Sequence, residues 1–198
     1  TLLENLGKEE GLCNVGDNKN EILRVDENLF RIELNRLMTY HERLDALSFF
    51  KLIHVAYEKV VYNCSRKNLL FYHIHNPDIY SQLNFMRLAP NAKWIMMVRE
   101  PIQSCESWIT KEFQQGDYNQ VTQRIITLLH EIDNIIFRKH VSIGLRLEDL
   151  KLHPKETLNN LCQWMGIKEE PSLYEMTVQG KRWWGDPSSP HFGKEGMD

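Results

Sequence analysis

Apolar positions recur at helical spacing between Met38 and Tyr62. Ala46, Phe49, Phe50, Ile53, Ala56, Tyr57 and Val60 share one face there, with Glu42, Arg43, Lys51, Glu58 and Lys59 elsewhere. The pattern then changes. The short apolar run NLLFYHIHNP (68–77) ends at Asn76-Pro77 and predicts a buried strand, because proline disfavours helix in the residue before it. Asp78 can cap a helix running through Leu88, and the chain turns at Pro90-Asn91. KWIMMV (93–98) predicts a second buried strand, broken by Arg99-Glu100-Pro101. Helices follow over 102–114 and 119–137, the second with Val121, Ile125, Leu128, Leu129, Ile132 and Ile136 on one stripe. HVSIGLRL (140–147) predicts a third strand, and Leu158, Leu161, Cys162 and Met165 form the apolar side of a helix stopped by Gly166.

Strands alternating with helices predict an α/β fold of three layers, a mostly parallel sheet flanked by helices. The core is expected over residues 38–167. Residues 1–37 read as an irregular acidic lead-in around a short helix near Leu29, and 168–198 as a C-terminal loop region. The whole chain, 1–198, is expected to form a single domain. Sheets of this kind take ligands beyond the carboxyl ends of their strands. That rule directs attention to His73–Pro77, to Arg99–Ser107 and to the loop after Leu147.

Arg99 ends a run of five apolar residues, and a guanidinium there needs an anionic partner, either a carboxylate or a ligand phosphate. Pro101 suits the first turn of a helix whose open N–H groups favour an anion. Ser107, eight residues after Arg99, points back toward that helix start. Arginine, helix start and serine can therefore converge on one phosphate, or Arg99 can pair with Glu100 or another acid while Ser107 packs. His75, at a strand end, is a candidate general base, with a packed or solvent-facing histidine as the more ordinary reading. Glu148-Asp149 reads as a loop clamp or cap pairing with Arg146 or Arg99 rather than as catalytic acids. In Gly180-Lys181-Arg182-Trp183-Trp184-Gly185, two cations and two indoles lie between glycines, with no helical or strand period. They suit an adenine-type ring and a phosphate, or an aromatic anchor onto the core.

Composition narrows the classes. Hydrophobic residues at 42% and charged residues at 26% exclude wholesale disorder. A net charge of −3 argues against a nucleic-acid binder, so an anion site must be built by a few placed groups. No apolar run approaches the roughly 20 residues of a transmembrane segment, and no cleavable signal opens the chain. Cys13, Cys64, Cys105 and Cys162 have no metal-ligand spacing. They read as reduced thiols of an intracellular, cytoplasmic protein without a metal.

Together these segments resemble the sulfotransferases, of cytosolic or Golgi type, that use 3′-phosphoadenosine 5′-phosphosulfate and have a P-loop-NTPase-like α/β fold. NAKWIMMVREPIQSCES (91–107) resembles the family's second nucleotide-binding segment, which implies that Arg99 and Ser107 hold the donor's 3′-phosphate. LRLEDLKLHPKETLNNLCQWMGI (145–167) resembles its Glu-Asp-Leu segment and the proline-started helix after it. HIHNP (73–77) is similar to the Lys-Thr-His-Leu-Pro of the cytosolic enzymes, which implies His75 as the base. The glycine-flanked Lys181-Arg182, with Trp183, resembles the late basic loop over the 3′-phosphate. The implied reaction moves a sulfuryl group to a hydroxyl or amine acceptor and leaves 3′-phosphoadenosine 5′-phosphate. Family members begin with a strand and a Lys/Arg-Ser/Thr-Gly-Thr loop that grips the 5′-phosphosulfate. Gly7-Lys8, Gly11 and Gly16 do not match it, so that loop is expected upstream of Thr1, or that half of the site is lost. A P-loop-type nucleotide kinase would need a glycine-rich loop ending in Lys-Ser/Thr, which the chain does not show. A non-catalytic sulfotransferase-like binding module is the remaining alternative.

Overall fold

The computed structural model describes residues 14–63, 69–74, 79–134, 136, 138 and 140–185, apart from the side chains of 107, 108, 111–113, 131 and 132. The chain divides into two compact units, one from 1–75 with 174–198 and the other from 76–173.

In the first unit, helix α1 (Glu27–Met38) packs on helix α2 (Ala46–Tyr62). Each begins at an aspartate. The Asp26 carboxylate accepts the Leu29 N–H at 2.9 Å, and Asp45 accepts the Ser48 N–H at 2.9 Å and its hydroxyl at 2.7 Å. The lead-in is therefore not irregular beyond a short helix, because α1 runs for 12 residues. The helical period expected from Met38 begins only at Ala46, since Thr39 closes α1 and Asp45 opens α2. Asn63 ends α2 in the left-handed region, at φ 50°.

The strand expected over 68–77 is not formed in its described part, 69–74. Leu69 is 57% exposed and Phe71 71%. The segment docks through a side chain instead of a ladder: the Tyr72 ring meets Phe50 of α2 edge-on, with centroids 5.1 Å apart. The rest of that expectation, including His75, Asn76-Pro77 and Asp78, lies outside the described residues.

The second unit runs α3 (Ile79–Leu88), β1 (Trp94–Val98), α4 (Pro101–Gln114), α5 (Tyr118–Ile132), β2 (Ser142–Arg146), α6 (Leu147–Leu152) and α7 (Pro154–Met165). β1 and β2 pair in parallel, from Trp94 opposite Ser142 to Val98 opposite Arg146. Parallel neighbours need a long crossover, and α4 and α5 supply it. This is an α/β arrangement, with helices joining the parallel strands. Among the described residues, Trp94, Ile136, Leu145, Leu158, Leu161 and Cys162 are its buried apolar residues. Phe85 stands edge-on to Trp94 at 5.7 Å, and the buried Gln82 accepts a hydrogen bond from Asn134 Nδ2 at 2.9 Å. The stripe on α5 is less buried than its period suggests. That helix packs on α4, and Leu129 remains 60% exposed.

Helix α7 starts on Pro154 and stops at Gly166, whose φ of 75° is left-handed. The Gly166 and Ile167 N–H groups return to the Cys162 carbonyl at 2.9 and 3.0 Å. Lys93, just before β1, donates its Nζ to the Trp164 and Met165 carbonyls at 3.1 and 3.2 Å, closing the same helix end.

The C-terminal region returns to the first unit and is not simply loop. β3 (Thr177–Val178) and β4 (Lys181–Arg182) form an antiparallel hairpin. Its two turn residues, Gln179 (φ 52°) and Gly180 (φ 72°), both lie at positive φ, as the favoured two-residue hairpin turn requires. Gln179 fastens the turn by donating Nε2 to the Arg24 carbonyl and the Tyr57 hydroxyl, each at 3.0 Å.

At Gly166 an added Cβ would meet nothing within 4 Å, so its replacement tests backbone conformation alone. Gly166→Ala is expected to lower stability by about 1–2 kcal/mol, read as a lower urea midpoint at unchanged slope.

Candidate active site

Parallel pairing brings the carboxyl ends of β1 and β2 to one edge of the second unit, and Arg99, Glu100, Arg146 and Glu148 gather there. Glu148 Oε1 accepts the Glu100 N–H at 3.0 Å, fastening the end of β1 to the start of α6. Glu100 in turn accepts the Gln103 N–H at 2.7 Å and so caps α4. Arg146 lies 3.9 Å from both Glu148 Oε2 and Asp149 Oδ1, close enough for attraction and too far for hydrogen bonds. Glu148 thus acts as the clamp expected of the Glu148-Asp149 pair, while the capping by Glu100 was not expected from the sequence.

The hydrogen bond from the Glu100 N–H is the main cause holding the Glu148 carboxyl below its ordinary value of 4.5. Its own backbone N–H adds to this, as do the positive charges of Arg146 and Arg99, against opposition from desolvation. Arg99 itself is exposed and, among the described residues, makes no hydrogen bond or ion pair. Among the described residues no ion pair joins it to Glu100, and the acid that feels its charge is Glu148. Ser107 sits on α4, about 9 Å along the axis from Pro101, and its side chain is outside the described set.

Lys181, Arg182 and Trp183 belong to the first unit, where β4 meets the loop 14–21. Val15 bridges to Glu21 on one side and to Trp183 on the other. Gly16 is the centre of this junction. Its N–H donates to the Arg182 carbonyl at 2.8 Å, and its own carbonyl accepts the Trp184 indole N–H at 2.7 Å and the Lys19 N–H at 3.2 Å. Gly16 has φ +80°, and a Cβ there would collide with the Glu21 carboxylate. That carboxylate also contacts Lys181 Nζ.

The Trp184 ring carries two cations, Arg182 with its Cζ 3.8 Å from the centroid and Lys19 with its Nζ at 4.2 Å. Trp184 is thus the anchoring indole. Trp183, half-buried, is tied by its backbone N–H to the Met176 carbonyl at 2.8 Å. Gly16, Lys19 and Glu21 are not among the site residues the sequence suggests, whereas Trp184 takes the anchoring role that the sequence left open between the two indoles. The turn-rich run Gly16-Asp17-Asn18-Lys19-Asn20 was a signal for a tight loop, but nothing in it named the distant hairpin as its partner.

The sequence profile described as the Sulfotransferase family matches residues 13–171. The chain belongs to the sulfotransferase family. The matched stretch contains His75, Arg99 and Ser107 and stops before Lys181, Arg182 and Trp183. Among solved structures, the sulfotransferase chain is similar to the "Sulfotransferase Domain from the Curacin Biosynthetic Pathway". That likeness is at 22% identity with a TM-score of 0.42, over 86% of this chain and 65% of that one. The chain therefore spans less than two thirds of that structure's length. None of the curated proteins matches it. Among the described residues, no helix is long and apolar enough to cross a membrane.

A carboxylate with a depressed pKa stabilises the folded state above its ordinary value, and that contribution is lost as pH falls through the folded value. The urea midpoint of this sulfotransferase should accordingly drop as pH is lowered from 6 toward 3. Glu148→Gln should make that decline shallower, and identical slopes would show that the Glu148 clamp contributes nothing.

Proposed function

We propose that this chain transfers a sulfuryl group from 3′-phosphoadenosine 5′-phosphosulfate to a hydroxyl or amine acceptor. One observation carries the reading. The exposed Arg99 guanidinium stands at the carboxyl edge of the parallel pair, while the neighbouring acids Glu100 and Glu148 are engaged in capping and clamping. That edge is where such sheets take ligands, and a planar guanidinium suits a phosphate better than any other side chain. In this reading Arg99 and Ser107 hold the 3′-phosphate, and Lys181, Arg182 and Trp183 of the first unit are assigned on their own as donor-binding residues. The 3′-phosphate lies remote from the reacting sulfur. Gripping it converts binding energy into orientation of the transferred group.

In the transfer, the acceptor oxygen or nitrogen bonds to sulfur as the bond from sulfur to the 5′-phosphate oxygen breaks. 3′-Phosphoadenosine 5′-phosphate leaves, and His75 takes the acceptor's proton.

Calorimetric titration tests the donor assignment. The protein should bind 3′-phosphoadenosine 5′-phosphate more tightly than AMP. Arg99→Ala should weaken the former by roughly tenfold to a hundredfold, the worth of a hydrogen bond to a charged group, and leave AMP little changed. Equal affinity of the unmodified protein for the two nucleotides would overturn the reading. His75→Ala should keep nucleotide affinity and abolish turnover. Substantial residual turnover would assign the base elsewhere.

A further inference from the structure

Between Glu21 and α1 the chain runs over residues 22–26 without helix or ladder, beside the last turns of α2 and the turn of the β3–β4 hairpin. One side chain joins the three. Gln179 donates Nε2 to the Arg24 carbonyl and to the Tyr57 hydroxyl, each at 3.0 Å. The end of α2 closes on the same turn, since a Cβ on Gly180 would stand 3.7 Å from the Tyr62 ring. These elements all belong to the first unit and line a cleft of about 570 Å³, within the ordinary range for a small-molecule site.

The lining divides by chemistry. Ile22, Val25, Val60 and Val61 give it half-buried apolar surface, and Leu29, 53% exposed, extends that surface to the rim. An apolar wall open to water favours a ligand with an apolar body. Most of the charged groups of the lining are already engaged. Lys181 and Glu21 pair with each other, and Asp26 accepts the Leu29 N–H at the start of α1, where the helix dipole favours its charge. Arg24 is the exception. Gln179 occupies its carbonyl, but its exposed guanidinium has no hydrogen bond or ion pair among the described residues. A guanidinium beside apolar side chains offers a planar fork to a carboxylate.

We propose that this cleft binds an apolar monocarboxylate, with the hydrocarbon body against Val25, Val60 and Val61 and the carboxylate on Arg24. A single unengaged cation matches a single negative charge. A phosphate monoester suits the cleft less well, because its second charge would face Glu21 and Asp26 with no further free cation to meet it. An ammonium head is disfavoured by Arg24, since both acids of the lining already have partners. The inference stands apart from the donor reading, which uses neither Arg24 nor the valines of α2.

The test is calorimetric titration of octanoate, below its micelle concentration, into the full protein, with octanol and octylammonium as the neutral and cationic counterparts. Octanoate should bind once per chain and more tightly than either. Arg24→Met keeps an apolar stem and removes the charge. It should weaken octanoate about tenfold and leave octanol within about twofold, and Arg24→Lys should restore part of the loss. Val61→Trp, which fills the cleft, should weaken octanoate and octanol alike. Should that variant fail to fold, Leu29→Asp at its exposed position should weaken both in its place. Failure of octanoate to bind, or binding of octylammonium as tight as that of octanoate, overturns the proposal. So does an Arg24→Met protein that binds octanoate as tightly as the unmodified one. Displacement of octanoate by 3′-phosphoadenosine 5′-phosphate would make the cleft part of a nucleotide site, and the proposal falls in that case too.

Discussion

The parallel pairing of β1 with β2 is the constraint on which the second unit depends. Two parallel neighbours cannot be joined by a tight turn, so the chain between them must form a crossover, which here is α4 and α5. The same pairing delivers Arg99 and Arg146 to one edge, because residues leaving parallel strands leave in the same direction. Like charges gathered at an edge repel, and the acids of α6 answer this. Glu148 takes a backbone N–H from the end of β1 and lies near Arg146, so the loop carrying Arg99 is tied down by a carboxylate on the neighbouring element. The adjacent carboxylate of Glu100 occupies a donor at the start of α4. The anion-seeking features of the edge are thereby divided, with part of the helix start satisfied internally and the Arg99 guanidinium left toward solvent.

The first unit solves a similar problem with a single glycine. Without a side chain, Gly16 can sit at positive φ directly against the Glu21 carboxylate, and its one peptide connects the loop 14–21 to the hairpin at Arg182 and Trp184. An indole in contact with two cations is an economical support. Its apolar body packs, its N–H finds the Gly16 carbonyl, and its π face attracts both Lys19 and Arg182. The acid-rich character of the N-terminal part therefore does not prevent a local positive cluster, because placement rather than net charge sets the field at short range.

Much of the second unit was legible in the residues themselves. The run KWIMMV, stopped by Arg99-Glu100-Pro101, is β1 to within a residue, and Pro154 and Gly166 mark the two ends of α7 through the fixed φ of proline and the left-handed tolerance of glycine. Helix α1 has no clean apolar stripe, so the sequence suggests no more than a short helix near Leu29, and the cap at Asp26 emerges only with the structure. The run 68–77 failed for the opposite reason. It has the composition of a buried strand, yet a strand exists only where another backbone offers a ladder, and its described residues dock through Tyr72 on α2 instead.

What the sequence alone determined is local: where helices start and stop, that strands and helices alternate, and that Arg99 follows an apolar strand two residues before a helix. Short-range rules suffice there, since caps, turns and periodicity depend on residues a few positions apart. Tertiary structure decided which distant groups meet. It made Glu148 the acceptor for the Glu100 N–H, turned a glycine-flanked basic segment into a hairpin, and brought Lys19 and Glu21 to Arg182 and Lys181. The long-range meetings join groups 48 residues apart, at Glu100 and Glu148, and 160 apart, at Glu21 and Lys181, and no local pattern encodes the partner at the other end.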